Sequence, residues 1–468
     1  MIALSLSELA AAVDGAVIRT SGVAESTMVS GAVHTDSREV GAGSIFFALP
    51  GSTTDGHRFA ADAAAAGAAL IVAEHPVDVD VPQIIVPDTV AALAALARAV
   101  VARVRARGTL SVIAITGSNG KTTTKNMIAA ICSAVGPTVA PRGSYNNQVG
   151  APLSMLRVDY DTRFLVVEMG ASAIGDIARL IAVVVPDIAV VLKVGMAHSG
   201  DFGSLAVTQR AKSEMVTGLP VGAVAVLNAD DDRVAAMAGM TAARVAWFGL
   251  AATAAVRAEE IQTRADGTSF TLVTGDTRQK VSMRILGEHQ VMNALAALSV
   301  AAQLGIDLLA ASSAIEAMPR AERWRMEVLQ PGGGIVVLND AYNASPDSTA
   351  AALKTLAQIT SGDRRSVAVL GEMADLGEFS DEQHDHIGRL VVRLNIGKLV
   401  VVGQRAKRIH IAASLEGSWG GESVLVDTPD EAFELLRDEL RDGDVVLVKS
   451  SNSAKLRFLG DRLGGVAS

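Results

Sequence analysis

The sequence predicts an α/β protein of three domains whose sheets are mostly parallel. At 468 residues the chain is too long for one ordinary core, and two to three domains is the expectation for that length. Short apolar runs of strand length alternate with helical patterns along much of it, the signature of parallel strands joined by right-handed crossovers. One such run, Ser111–Thr116, breaks into the glycine-bracketed loop "GSNGKT" before a helix-compatible segment, the strand–loop–helix context of a phosphate-binding loop.

The first segment, residues 1–108, opens on a short helix marked by a Ser5-x-x-Glu8 capping box. A strand in "GSIFFALPG" and a helix–strand unit in "HRFAADAAAAGAALIVAE" follow. An Ala-rich helix from Thr89 to Ala106 ends in "RVRARG", basic residues in the last turn and then glycine, which places the boundary at Gly108.

The second segment, 109–320, carries the loop and three further apolar runs that read as buried parallel strands: "FLVVEMG", "DIAVVLKVG" and "AVAVLNADDD". The polar, alternating stretch "EEIQTRADGTSFTLVTGDTRQKVSMRI" reads as antiparallel hairpins, with a turn at Asp266-Gly267, and two helices close the segment. The third, 321–468, alternates strands ("GIVVLND", "SVAVLGE", "KLVVVG", "SVLVD", "DVVLVKSS") with helices, a Rossmann-like pattern. One of its helices opens at Thr428-Pro429-Asp430-Glu431, a capping box with proline at the first helical position.

Composition excludes several classes. Hydrophobic residues at 50% against 19% charged argue against disorder. The positive mean hydropathy of +0.34 comes largely from Ala and Val. The most apolar window, from Ile181 to Gly195, is interrupted by Pro186, Asp187 and Lys193, short of the about 20 apolar residues that a spanning helix needs. The N-terminal stretch lacks the basic start of an export signal, so the expectation is a soluble, cytoplasmic protein. The single cysteine, Cys132, rules out an intramolecular disulfide and reads as a small packed residue. With 41 basic against 50 acidic residues and no basic block, nucleic acid is not an expected partner. The protein is expected to act as a monomer.

The common phosphate loop spaces its glycines G-x-x-x-x-G-K-[ST], but here Ile115 stands where the first glycine would be. The chemistry survives the shortening. Glycines let backbone N–H groups close around anionic oxygens at the positive end of a helix. Lys121 would neutralise the β/γ phosphates and Thr122 would ligate Mg²⁺. Glu168 ends an apolar strand, where a carboxylate either holds a cation or is simply solvated. His198 follows another strand between glycines and could be a ligand or a structural hydrogen-bonder, and Lys212 sits in a helical pattern where a surface lysine is the ordinary reading. Asn228, Asp230, His289 and Asn293 offer polar groups to a base or ribose. "SYNNQVGAPLS" is too polar for a core and reads as a binding loop. In the third segment Asp340 and Asn343, "LGEMADLGE" and "KSSNS" fall at strand ends, where α/β sheets form ligand crevices.

Taken in order, "GSNGKTTT", "EMGA", "GMAHSGDFGS" with "AKSEM", "LNADD", "GEHQVMNALAA" and "NDAYNASPDS" resemble the motifs of the Mur ligase superfamily across nearly the whole chain. Within it, "SYNNQVGAPLS", "AYNASP", "LGEMADLGE" and "TDSREVGAGSIFFALPGSTTDGHRF" are similar to the branch that adds D-alanyl-D-alanine to UDP-N-acetylmuramoyl-tripeptide. The D-N-P-R-like motif typical of the branch adding diaminopimelate or lysine is absent. The resemblance implies an N-terminal UDP-substrate domain, a central ATPase domain and a C-terminal domain for acceptor binding and closure. It implies ATP held by Gly117, Ser118, Asn119, Gly120, Lys121, Thr122 and Thr123, with Asn293, Arg323 and Asp340 meeting adenine, ribose or phosphate. Thr122 and Glu168 would bind one Mg²⁺; His198 would bind a second together with Lys212 carried as a CO₂-derived carbamate, and Lys121, Glu168, His198 and Lys212 form the catalytic set. Thr35, Asp36, Ser37 and Arg38, with Asn146 and Asn147, would hold the UDP-sugar end.

The chain departs from the usual pattern at four places. Lys193 stands where asparagine is common, Glu322 precedes Arg323 where glycine is usual, Ser345 replaces the second asparagine of Y-N-A-N-P, and "KSSNSAKL" replaces the commoner K-G-S-R. Two alternatives stay open at this point. One is a Mur-type or folylpolyglutamate-type ligase with another amine acceptor; the other is a nucleotide switch or kinase, which would not need Glu168, His198 and Lys212 together.

Overall fold

The computed structural model describes residues 1–18, 23–51, 54–141, 143–196, 199–320, 322–362, 364–417 and 419–466. The chain is organised as α/β domains with mostly parallel sheets, and it divides into two compact bodies. One comprises residues 1–115, 135–171 and 175–189, the other 116–134, 172–174 and 190–468.

In the first body, the helix Leu6–Ala12 is capped as its sequence requires, with Ser5 and Glu8 bonded reciprocally. A sheet runs in the order Ala16–Ile18, Gln83–Ile85, Leu70–Ala73, Ile45–Phe47, Val33–His34, antiparallel only at its first pairing. The strand read in "GSIFFALPG" is shorter than the apolar run, Ile45–Phe47, and all three of its residues are buried. The helix Thr89–Arg105 is capped by Asp88, whose carboxylate accepts from the N–H groups of Val90 and Ala91, and it buries Leu93, Leu96, Ala97, Val100 and Val104 along one face. The strand leading into the phosphate loop pairs in parallel with Phe164–Glu168, in a register that sets Glu168 beside Ile115.

In the second body, Val224–Asn228 and Arg244–Gly249 run parallel, and the polar stretch forms the antiparallel meander Val256–Arg264, Gly267–Thr274, Thr277–Met283. Its first turn sits one residue earlier than predicted, because Arg264 pairs with Gly267 and leaves Ala265 and Asp266 as the turn residues. The C-terminal sheet runs Glu327–Gly332, Ile335–Asn339, Val445–Lys449, Ser366–Leu370, Lys398–Val402, Glu422–Val426, parallel except for the first hairpin. Period-two alternation divides its strands between two cores. Leu338, Ala368, Leu370, Leu399, Val401 and Leu447 meet Leu353, Leu356, Ile387 and Ile409 on one face, while Val337, Val367, Val369, Val400, Val446 and Val448 meet Leu436, Leu456 and Leu459 on the other. At Thr428 the N-cap and first-turn proline are present, but Glu431 reaches back to the N–H of Asp427 and not to that of Thr428, so the predicted capping box is displaced by one residue. Among the described residues no helix is long and apolar enough to cross a membrane.

Candidate active site

The phosphate loop is shaped by two glycines and tied to the segment beside it. Gly120 caps the helix Lys121–Ser133 with a left-handed backbone at φ 86°, and a Cβ there would lie 2.3 Å from Asn293 Oδ1. Only glycine meets both demands. The Ser118 N–H donates to the Lys193 carbonyl at 2.8 Å, and its hydroxyl exchanges hydrogen bonds with both backbone groups of Gly195. Lys121 Nζ donates to the Gly117 carbonyl at 2.8 Å, folding the ammonium back over the loop. Thr122 and Thr123 are buried in the first turn of the helix. Cys132, farther along it, is packed as predicted, and burial pushes its thiol up to about 12.

A chain of amides backs the loop. Thr124 Oγ1 donates to Asn293 Oδ1 at 3.3 Å, Asn293 Nδ2 donates to Gln290 Oε1 at 2.8 Å, and Gln290 Nε2 lies 3.0 Å from His289 Nε2. Burial is the largest of the influences that lower His289 to about 4. Asn228 and the following aspartates serve the scaffold: Asn228 Nδ2 holds the Leu192 carbonyl, Asp231 holds the Val194 N–H, and Asp230 accepts from the Ala251 N–H.

Lys212 is not the surface lysine its helical pattern suggests. It lies in the helix Leu205–Thr217 with 3% of its surface exposed. Burial first, and then the nearby charge of Lys121, lower its ammonium to about 7. An amine so placed is substantially neutral at physiological pH and hence nucleophilic. His198 lies outside the described residues.

The third domain meets the loop through residues that the sequence reading only partly singled out. Arg325 donates to Thr122 Oγ1 at 3.4 Å and lies over the Tyr342 ring, 4.5 Å from its centroid. Arg323 is instead directed to Glu327 at 3.4 Å and Asp461 at 2.9 Å within its own domain. Between and after the two arginines the backbone is left-handed, at Trp324 (φ 57°) and Met326 (φ 50°). Asp340 is buried; it accepts from Lys449 Nζ at 2.7 Å and from the Met326 N–H at 3.0 Å, fixing the residue next to Arg325. Lys449, the first residue of "KSSNS", also donates to the Asn343 carbonyl, while Ser451 accepts from the Ala374 N–H, so this stretch joins two of the predicted strand-end loops.

In the first body, Glu168 is fully buried at its strand end, and Asn146 Nδ2 stands 3.5 Å from its carboxylate. The Asn146 carbonyl accepts from the Gly170 N–H, and Asn147 Oδ1 accepts from the N–H groups of Val149 and Gly150, which orders the start of the helix Gly150–Met155. Thr35 precedes a tight turn in which Asp36 caps Ser37–Glu39 and pairs with Arg38; that pairing holds the Asp36 carboxyl down at about 2. Asp55, His57 and His75 gather within 4.8 Å, but His57 already uses both ring nitrogens, Nδ1 toward Asp55 and Nε2 as acceptor for the Glu74 N–H. These bonds tie the 55–57 turn to Glu74 and leave His57 no lone pair for a metal.

Comparison with known proteins gives this arrangement its family. Three family models match in succession: the Mur ligase family catalytic domain over residues 31–116, the Mur ligase middle domain over 115–301, and the Mur ligase glutamate ligase domain over 324–452. The UDP-N-acetylmuramoyl-tripeptide–D-alanyl-D-alanine ligase of Mycobacterium tuberculosis H37Rv is 44% identical, covering 99% of this chain and 98% of the relative. The chain belongs to the Mur ligase family. A crystal structure of the Acinetobacter baumannii member called MurF superposes with a TM-score of 0.88 at 30% identity, covering 99% of both chains. That of the Thermotoga maritima ligase in complex with ADP superposes with a TM-score of 0.80 at 27% identity, over 93% of this chain and 98% of the other. The Mur ligase fold thus comprises three α/β domains here, as the sequence predicted.

Proposed function

We propose that the chain is the ATP-dependent, ADP-forming ligase that joins D-alanyl-D-alanine to UDP-N-acetylmuramoyl-tripeptide, the last cytoplasmic step in making the peptidoglycan precursor. The full-length 44% identity to a ligase of that name carries the reading, and the loop geometry supports it. The domains divide at residues 1–108 for the UDP-substrate, 109–320 for ATP and 321–468 for the acceptor.

The peptide's terminal carboxylate attacks the γ-phosphorus of ATP, ADP leaves, and an acyl phosphate forms. The dipeptide amine then attacks the acyl carbon, the tetrahedral intermediate expels inorganic phosphate, and the amine's extra proton is lost. Lys121 and the N–H groups of residues 117–123 orient the phosphates and offset their charge. Arg325, rather than Arg323, adds a cation from the third domain, and Asn293 meets the nucleoside from behind the loop. Asp340 acts by holding the backbone beside Arg325. Thr35, Asp36, Ser37 and Arg38, with Asn146 and Asn147, serve the UDP-sugar end.

The donor set fits Mg²⁺: a threonine hydroxyl and a strand-end carboxylate are hard oxygen ligands. Thr122 and Glu168 would hold one ion, and His198 with carbamylated Lys212 a second. When bound, the ions neutralise phosphate charge. The neutral amine of Lys212 supplies the nucleophile that CO₂ requires, and the carbamate replaces a cation with an oxygen ligand. An ¹⁸O label in the tripeptide carboxylate tests the activation step. Transfer of one ¹⁸O to the released phosphate is expected; unlabelled phosphate accompanying full product would refute an acyl phosphate.

A further inference from the structure

Two departures from the usual family pattern, Lys193 and Ser345, fall on opposite sides of one seam. The Lys193 carbonyl already supports the phosphate loop through the Ser118 N–H. Its side chain places Nζ 3.1 Å from Asp347 Oδ1. The other Asp347 oxygen accepts from the Met196 N–H at 3.3 Å. It lies so close to Gly195 that a Cβ there would stand 2.2 Å away. Ser345 caps the helix Pro346–Ile359 and also donates its hydroxyl to Asn119 Oδ1 in the loop, at 3.1 Å. Two residues of the third domain, Ser345 and Asp347, therefore engage the loop and the strand end that supports it, and Arg325 of the same domain reaches Thr122.

We propose that Lys193 and Asp347 form an electrostatic clasp that holds the third domain on the phosphate loop and so positions Arg325 for the nucleotide. Lys193 is then a positioning residue for ATP use. The proposal rests on the ligase reading of the site. Both partners are partly exposed, 46% and 32%, so their attraction is of the modest kind seen for surface pairs and is weakened by salt. Its effect is amplified only through what it positions.

The test is binding of a non-hydrolysable ATP analogue, by calorimetry, at about 0.01 M and about 0.15 M salt, where charges are screened beyond about 30 Å and about 8 Å. Lys193→Gln is expected to weaken binding about 2- to 5-fold at low salt, as loss of one exposed pair implies, and by less at high salt. Lys193→Arg retains binding. The KM for ATP follows the binding while the KM for D-alanyl-D-alanine does not move, a split that general loss of structure would not produce. The exchange Lys193→Glu with Asp347→Lys binds better than either single change. Equal binding by Lys193→Gln and the unaltered chain at low salt would overturn the clasp, as would an exchange no better than its singles. Analogue binding reports on the clasp whichever amine is joined; failure of the ligase reading would appear instead as phosphate release by the unaltered enzyme that ignores the dipeptide.

Discussion

Replacing Lys449 by methionine tests how the third domain holds its arginine. Lys449 is 2% exposed, and its ammonium is shared between Asp340 Oδ2, at 2.7 Å, and the Asn343 carbonyl, at 3.1 Å. Methionine fills much the same volume but donates nothing, so the buried Asp340 carboxylate loses its counter-ion. Removing one partner of a buried pair costs about 3–5 kcal/mol, because the other charge is left desolvated. For a domain of about 150 residues each kcal/mol moves the midpoint by about 2–4 °C, so the third domain should melt about 6–20 °C lower. The double change Asp340→Asn with Lys449→Met removes the stranded charge and should recover part of that loss. Because Asp340 also holds the Met326 N–H, the single variant should raise the KM for ATP through a displaced Arg325. Calorimetric melting of the intact protein reads the first effect and steady-state kinetics the second. A Lys449→Met protein melting within about 2 °C of the unaltered chain would refute the reasoning, as would a double variant no more stable than the single.

Arg325→Met should lower kcat/KM for ATP about tenfold or more, the scale of a hydrogen bond to a charged group, whereas Arg323→Met should act on melting and leave the KM for ATP unchanged. Gly120→Ala forces a left-handed alanine, costing about 1–2 kcal/mol, and drives a methyl into Asn293 Oδ1; nucleotide binding measured by calorimetry should be lost while the fold survives. Lys212, lowered to about 7, takes up a proton as pH falls through that value, so enzyme depleted of CO₂ should regain activity with bicarbonate at pH above 7 and progressively less below it. Lys212→Arg should not respond to bicarbonate at any pH. The same burial makes the unfolded chain bind the extra proton between about 7 and its ordinary lysine range, so stability from this residue rises with pH across that window.

Much of the fold was legible because its signals are local. The capping box at Ser5, the apolar strands of the third domain and the antiparallel meander each carry their own periodicity or turn chemistry. The short strands Ala16–Ile18, Val33–His34 and Gln83–Ile85 were not, since two or three residues cannot display an alternation. The loop and Glu168 stood out by their place at strand ends. Lys212 gave no sign of burial, because a helical pattern with a lysine in it looks the same whether that face meets solvent or a site. The bond from Arg325 to Thr122 joins positions far apart in the chain and leaves no local mark in the sequence. The pairing of Lys193 with Asp347, 154 positions apart, is tertiary and has no local trace.

The central claim is that ATP is consumed to join one particular amine. Phosphate release from ATP and Mg²⁺ should be measured with UDP-N-acetylmuramoyl-tripeptide present, with and without D-alanyl-D-alanine, and the product weighed by mass spectrometry. The account predicts release that requires both substrates and a product heavier by the dipeptide less one water. Release indifferent to the dipeptide, or a product of unchanged mass, would contradict it.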